Sequence, residues 1–287
     1  MRPDVVLVHG FSFAWQILWL RRFLPVRARL LVQNQAEQPF PGLKRNFQRW
    51  VAPKVEGFLF VNREQAAPWF TKGIFPHGKR IFEVMEGSTN FNLRNKEECR
   101  RQLKLPSGPI FLWVGRLDPN KDPMTMLRAF VQFRSSCPTF RLYMIYNSEK
   151  LKAVAVEFIR ANNLTDNIEL IGEVENADLE VWYNAVDCFI LGSHYEGSGY
   201  ALCEALACGC FPIVTNIPSF RKMTDNGRLG MLFEPGNAGQ LAEHLTRTLD
   251  LRLDEKRAAI REFFEKELSY AAIAKKIDAA CREVLTR

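Results

Sequence analysis

Short apolar runs alternate with helix-patterned segments from one end of this chain to the other, and that alternation restricts its fold more than any other feature. Runs at residues 5–8, 30–32, 58–61 and 81–84 read as strands, with helices at 13–24, 43–51 and 64–70 between them. After a short charged helix at 95–103, a second series follows. It places strands at 110–114, 141–146, 168–171, 187–191, 211–215 and 229–232, and helices at 123–134, 148–161, 178–185, 200–207 and 238–250. Such alternation predicts parallel sheets with right-handed crossovers, hence an α/β protein. Residues 86–90 are turn formers without an apolar run and mark a domain junction. Residues 254–285 read as two helices interrupted near Ser269. At 287 residues the chain can hold two such domains. The expected division is 1–88, 89–265 and a C-terminal helix, 266–287, crossing back to the first domain.

Two stretches of the second series carry chemistry. In the first, an apolar run ends at Leu191, a turn containing Glu196-Gly197-Ser198-Gly199 follows, and a short helix opens at Tyr200 and Ala201. Gly209 and Pro212 stop that helix, which carries Glu204 eight positions after Glu196. The glycines let backbone approach a ligand, and the first helical N–H groups favour an anion. The flanking carboxylates accept hydrogen bonds from hydroxyl groups, and a phosphorylated sugar carries both kinds of group.

In the second stretch a strand ends at Gly115, and Arg116 and Lys121 stand in the loop before a helix opened by Pro123. Ligands of open parallel sheets bind beyond the carboxyl ends of strands, where both stretches lie. Arg116 and Lys121 can there neutralise phosphate. Read singly, each stretch is equally an ordinary loop with solvated charges.

Taken together, Gly115-Arg116-Leu117, Lys121, and Glu196 with Glu204 as E-x7-E resemble the retaining sugar-nucleotide glycosyltransferases of glycosyltransferase family 4, also called glycosyl transferases group 1. The resemblance is clear from about Val84 onward and weaker before it. It implies a GT-B-like fold, with two Rossmann-like domains facing a cleft, and sugar transfer from a nucleoside diphosphate sugar to an acceptor hydroxyl with retention. By the same resemblance, Glu196 lies against the transferred sugar and Glu204 accepts the ribose hydroxyls. Arg116 and Lys121 hold the diphosphate. Backbone groups of Ser198, Gly199, Tyr200 and Ala201 hold phosphate and sugar, and Gly172 and Val174 border the base.

The amino-terminal domain departs from the family. Family members begin with a strand and a glycine-rich phosphate loop, whereas residues 5–10 here resemble a later strand, the one read as D-x-x-x-x-H-G. This domain is therefore expected to be truncated. Family members also carry a histidine after the next strand; here Gln35 (or Asn34) takes that place, with His9 at the preceding strand end. An amide cannot take a proton at neutral pH. His9 and Gln35 are the acceptor-side candidates, and the alternative to an active transferase is an impaired sugar-nucleotide-binding remnant or accessory subunit.

Charge and cysteine usage bound the partners. Of 39 Lys+Arg and 32 Asp+Glu, residues 1–100 hold 16 basic and 8 acidic side chains, so the surplus lies at one end. That asymmetry fits peripheral contact with an anionic membrane, or a solvated basic face. No aromatic stacking pattern accompanies the charge, which argues against nucleic acid. The uncharged stretch 5–20 is shorter than the ~20 residues of a membrane span and is expected to fold as strand and helix. The seven cysteines show no C-x-x-C pair, and a reducing cytoplasm is expected. No D-x-D occurs and the four histidines are scattered, so no metal or other cofactor is expected beside the donor substrate. The acceptor, whether glycan, lipid or small molecule, is not specified. Walker-type and dinucleotide-binding loops are absent from the sequence.

Overall fold

The structure, a computed structural model, describes residues 3–286. It divides into two compact units. One runs to Gly87 and resumes at Ser269, and the other is Ser88–Leu268.

In the first unit β1 (Val5–His9), β2 (Arg29–Gln33), β3 (Gly57–Phe60) and β4 (Arg80–Glu83) pair in that order as a parallel sheet. The crossovers contain α1 (Trp15–Phe23), α2 (Gly42–Val51) and α3 (Ala67–Thr71). Ile17, Val51, Trp69 and Phe75 pack with Leu30, Val32, Phe58 and Phe60 into one buried cluster. The helix expected at 64–70 is split. A 3-10 turn, Arg63–Ala66, capped by Asn62, precedes α3, whose first turn holds Pro68 and its missing N–H.

The second unit opens with α4 (Lys96–Gln102), then β5 (Ile110–Gly115), α5 (Pro123–Phe133), β6 (Arg141–Tyr146), α6 (Lys152–Ala161) and β7 (Ile168–Gly172). The chain continues through α7 (Asn176–Ala185), β8 (Cys188–Leu191), α8 (Tyr200–Ala207), β9 (Phe211–Thr215), α9 (Pro218–Met223) and β10 (Met231–Phe233). Helices α10 (Ala238–Thr248) and α11 (Leu253–Phe263) and a π turn, Phe264–Leu268, finish the unit. Helix α12 (Tyr270–Leu285), capped by Ser269, belongs to the first unit, where Arg80 reaches the Glu283 carbonyl at 3.0 Å.

All six strands are parallel, in the order β10-β9-β8-β5-β6-β7. The chain leaves β5 in one direction for β6 and β7, then returns to the other side for β8, β9 and β10. That reversal places the switch point between β5 and β8.

Among the expected boundaries that shift, three have a clear physical reason. The helix expected from 148 begins at Lys152, because the Leu117 N–H donates to the Ser148 carbonyl and Leu151 N–H to the Leu117 carbonyl. Asp187 stands just before β8 rather than in it; one carboxylate oxygen accepts the Ile110 N–H and Arg100, the other takes Lys96. The strand expected from 229 starts at Met231, and Gly230 lies so close to β9 that a Cβ there would meet the Pro212 carbonyl at 2.5 Å. Helix α9 was not expected from the sequence. Six of the seven cysteines are buried, all in the second unit. Among the described residues no helix is long and apolar enough to cross a membrane.

Candidate active site

The loops after β5 and β8, neighbours at the switch point, are sewn together. Asn120 is the thread: its carbonyl accepts the His194 N–H at 2.8 Å, its side-chain oxygen the Tyr195 N–H at 3.1 Å, and its amide donates to the Tyr195 carbonyl at 3.0 Å. Asp122 adds a second stitch. It caps α5 by accepting the Thr125 N–H at 3.1 Å, and its other oxygen lies 3.1 Å from His194 Nε2. The backbone at Asp122 is left-handed, with φ 43°. Gly192 completes the seam, since a Cβ there would meet the Met126 side chain at 2.6 Å.

Across this seam Lys121 Nζ pairs with a Glu196 carboxylate oxygen. Both side chains are largely buried, 14% and 13% exposed, so the pair is shielded and links the two sequence-predicted groups directly. Arg116 behaves differently. Its side chain is 59% exposed, held at 3.0 Å by Asp118, whose other oxygen accepts the Lys121 N–H. One fixed and one accessible cation thus stand in a loop organised by Asp118.

Helix α8 starts at Tyr200, with Gly199 before it in the left-handed region at φ 63°. A Cβ on Gly199 would lie 2.5 Å from the buried Phe220 ring, so glycine is required by conformation and by space. Gly197, Ser198 and Gly199 are buried, while Tyr200 is exposed. The first turn directs its N–H groups toward the loop, as any helix start does. Glu204, one turn further, is partly buried and accepts the Tyr183 hydroxyl at 3.0 Å. Burial pushes the Glu204 carboxyl up to about 7, against the opposing pull of that hydrogen bond. Burial also raises the Tyr183 hydroxyl far above its ordinary value, so it remains a donor.

At the carboxyl end of β7, Gly172 has φ 89° with open space where a Cβ would stand, and Val174 follows in the loop before α7. Strand spacing puts this loop roughly 10 Å along the sheet from the β5 loop. The remaining candidates lie in the first unit. Gln35 Nε2 is 3.4 Å from His9 Nδ1, and both side chains are exposed at the ends of β2 and β1. The N–H groups of Phe11 and Ser12 after β1 are taken by the Glu37 carboxylate, at 2.5 and 2.6 Å. Among the described residues no group of three or more His, Cys, Asp or Glu side chains could hold a metal ion.

The second unit thus brings Gly115, Arg116, Lys121, Glu196, Ser198, Gly199, Tyr200, Ala201 and Glu204 to one end of one sheet. Sequence reasoning missed Asn120, Asp118, Asp122, His194 and Tyr183, which position that set. Asp122 alone carries a legible signal, an aspartate directly before a helix-opening proline.

The model of the glycosyl transferases group 1 family matches residues 95–267, more than half of the chain and nearly all of the second unit. This chain belongs to that family. Among curated relatives, the D-inositol 3-phosphate glycosyltransferase of Thermobispora bispora is 27% identical over 179 residues, covering 58% of this chain and 42% of that protein. The O-antigen chain mannosyltransferase B of Escherichia coli is 22% identical over 180 residues, 61% of this chain and 46% of that protein. The chain matches less than half the length of these curated relatives. The fold recurs in solved structures. Sucrose-phosphate synthase from Thermosynechococcus elongatus superposes with a TM-score of 0.79, covering 99% of this chain and 74% of that one at 19% identity. Anabaena HepE, solved in complex with UDP and glucose, gives 0.75 over 98% and 78% at 15% identity. The two parallel α/β units are thus of the GT-B type.

Proposed function

We propose that this chain transfers a sugar from a nucleoside diphosphate sugar to an acceptor hydroxyl, with retention at the anomeric carbon and without a divalent metal. The observation that carries the reading is the shielded Lys121–Glu196 pair across two interlocked loops at the switch point, with Arg116 accessible beside it. In such a transfer the bond from the anomeric carbon to the diphosphate oxygen breaks. A bond to the acceptor oxygen forms, and the acceptor proton passes to the departing diphosphate. The barrier falls when charge growing on that diphosphate is stabilised. Arg116 offers a planar fork of donors, Lys121 a point charge, and the α8 start its N–H groups.

Glu204 is assigned to the ribose hydroxyls and Gly172 and Val174 to main-chain contact with the base. Glu196 is assigned to hydroxyls of the transferred sugar. Its pairing with Lys121 suits a hydrogen-bond acceptor better than a nucleophile. UDP is the first nucleotide to test, because the HepE structure holds it. The buried free thiols suit a reducing compartment, and the cytoplasm is the proposed site of action.

Thermal melting with UDP or GDP in the presence of a chelator tests the reading. The expected result is a ligand-induced rise in melting temperature that Glu204→Ala abolishes. A rise strictly dependent on added magnesium overturns metal independence, and no rise with any nucleoside diphosphate overturns the reading itself. The juxtaposition of Gln35 with His9 favours a second reading, a sugar-nucleotide-binding subunit with impaired transfer. It predicts nucleotide binding without turnover by the purified chain.

A further inference from the structure

The outward surface of α1 and α2 carries chemistry that nucleotide binding does not use. On α1, Ile17 faces the core, and Trp15 and Trp19 stand two residues to either side of it, on the opposite face, 55% and 60% exposed. Phe23 continues their stripe one turn on, its ring 4.8 Å from that of Trp19. On α2, Gln48 and Val51 turn inward, while Leu43, Phe47 and Trp50 form an exposed i, i+4, i+7 stripe. Both helices are crossovers packed by their inner faces on the same core cluster, so their outer faces point the same way. The hollow between them is lined by Phe13, Trp15, Phe40, Leu43 and Phe47.

Cations flank the apolar rings, an association of charge and aromatics on one face that was not expected from the sequence. Arg45 and Arg49, four residues apart, occupy the other outward flank of α2, and Arg22 lies beside Trp19 and Phe23 on α1. Lys44 and Lys54 sit over the Phe40 and Trp50 rings at 5.3 and 5.1 Å. Neither helix contains an acidic residue, and from Phe11 to Val55 there are eight Lys or Arg against one acid, Glu37. That acid is spent on the Phe11 and Ser12 N–H groups.

We infer that this face docks the protein on the surface of an anionic lipid bilayer. Exposed Trp, Phe and Leu enter the boundary between headgroups and acyl chains, to a depth of roughly 5–10 Å. Arg22, Lys44, Arg45 and Arg49 stay level with lipid phosphates, their aliphatic stems lying along the apolar stripe. Charge selects this occupant. A second copy would set two basic surfaces against each other with no acid to offset them, whereas an anionic bilayer complements the cations and takes up the rings. The inference stands on the first unit alone and does not depend on the transferase reading.

Co-sedimentation of the full chain with vesicles tests it, using phosphatidylcholine alone and with about one third phosphatidylglycerol. Binding is expected only to the anionic vesicles, weakening about tenfold or more between low salt and roughly 0.5 M NaCl. Arg45→Glu with Arg49→Glu should remove it. Trp19→Ser with Phe23→Ser should leave a loose, salt-sensitive association without the blue shift of tryptophan emission that insertion gives. Both variants are checked for native melting. No sedimentation of the folded protein with anionic vesicles at low salt overturns the inference, as does wild-type binding by both variants. So does a dimer in solution that the Trp19→Ser, Phe23→Ser variant dissolves, which would assign the face to a second copy.

Discussion

The Tyr183 hydroxyl donates to one oxygen of the Glu204 carboxylate at 3.0 Å, tying α7 to α8 beside the candidate donor site. Among the described residues no other hydrogen bond reaches that carboxylate, so under the proposed role its second oxygen is the one that would accept a ligand hydroxyl. Burial holds the group near neutrality, at about 7, and the tyrosine bond keeps it from rising further.

Nucleotide affinity should therefore fall as pH drops below about 7, by up to about tenfold per pH unit, because a protonated Glu204 accepts hydroxyls poorly. Calorimetric titration with UDP between about pH 5.5 and 8.5 checks this. Tyr183→Phe should move the midpoint to higher pH and weaken binding at pH 7 by roughly three- to tenfold.

Glu204 should also make the free protein less stable in alkali. A carboxyl raised in the folded state keeps a proton that the unfolded chain has lost. Stability then declines as pH rises from about 4.5 to about 7, and the full penalty applies above that. Glu204→Gln removes an unfavourable contribution on the order of 2–3 kcal/mol. Its melting temperature should exceed wild type by roughly 5 °C at pH 8, with the gap closing near pH 4.5. The nucleotide-induced rise should be weakened in the same variant.

The two cations should separate in a stability measurement. Lys121→Ala removes the shielded pair with Glu196 and should destabilise the second unit by about 1–2 kcal/mol. Arg116→Ala, at a largely exposed side chain, should change stability by less than about 0.5 kcal/mol. Both should reduce diphosphate affinity. Denaturant melts with and without UDP distinguish the effects.

Gly199→Ala combines a left-handed backbone with a Cβ 2.5 Å from the Phe220 ring. The backbone strain alone costs about 1–3 kcal/mol. Loss of both melting temperature and nucleotide binding is expected, and Phe220→Ala in the same chain should restore part of the binding but not the stability.

The sequence discloses the site wherever backbone chemistry is local. Helix α8 spans Tyr200–Ala207 as expected, because the glycines before it and the Gly209–Pro212 breaker after it act within a turn of its ends. Arg116, Lys121, Glu196 and Glu204 were legible through their resemblance to the family's motifs; that the two loops carrying them follow neighbouring strands is visible only in the folded chain. Tyr183 was not legible, for it reads as one more aromatic on a buried helix until α8 is folded against α7. Ser148–Leu151 likewise read as helix, since only the folded chain reveals that Leu117 claims their backbone groups across the sheet.

The sealed cysteines give the second unit a built-in reporter of its own opening. Burial pushes the Cys188, Cys203, Cys208 and Cys210 thiols upward, which keeps them protonated and screened from reagents while α8 and its neighbouring strands stay closed. A disulfide reagent should accordingly register Cys281 first and these four only as fast as the unit breathes. Occupancy of the donor site can then be followed through slowed labelling, with no substrate turnover at all.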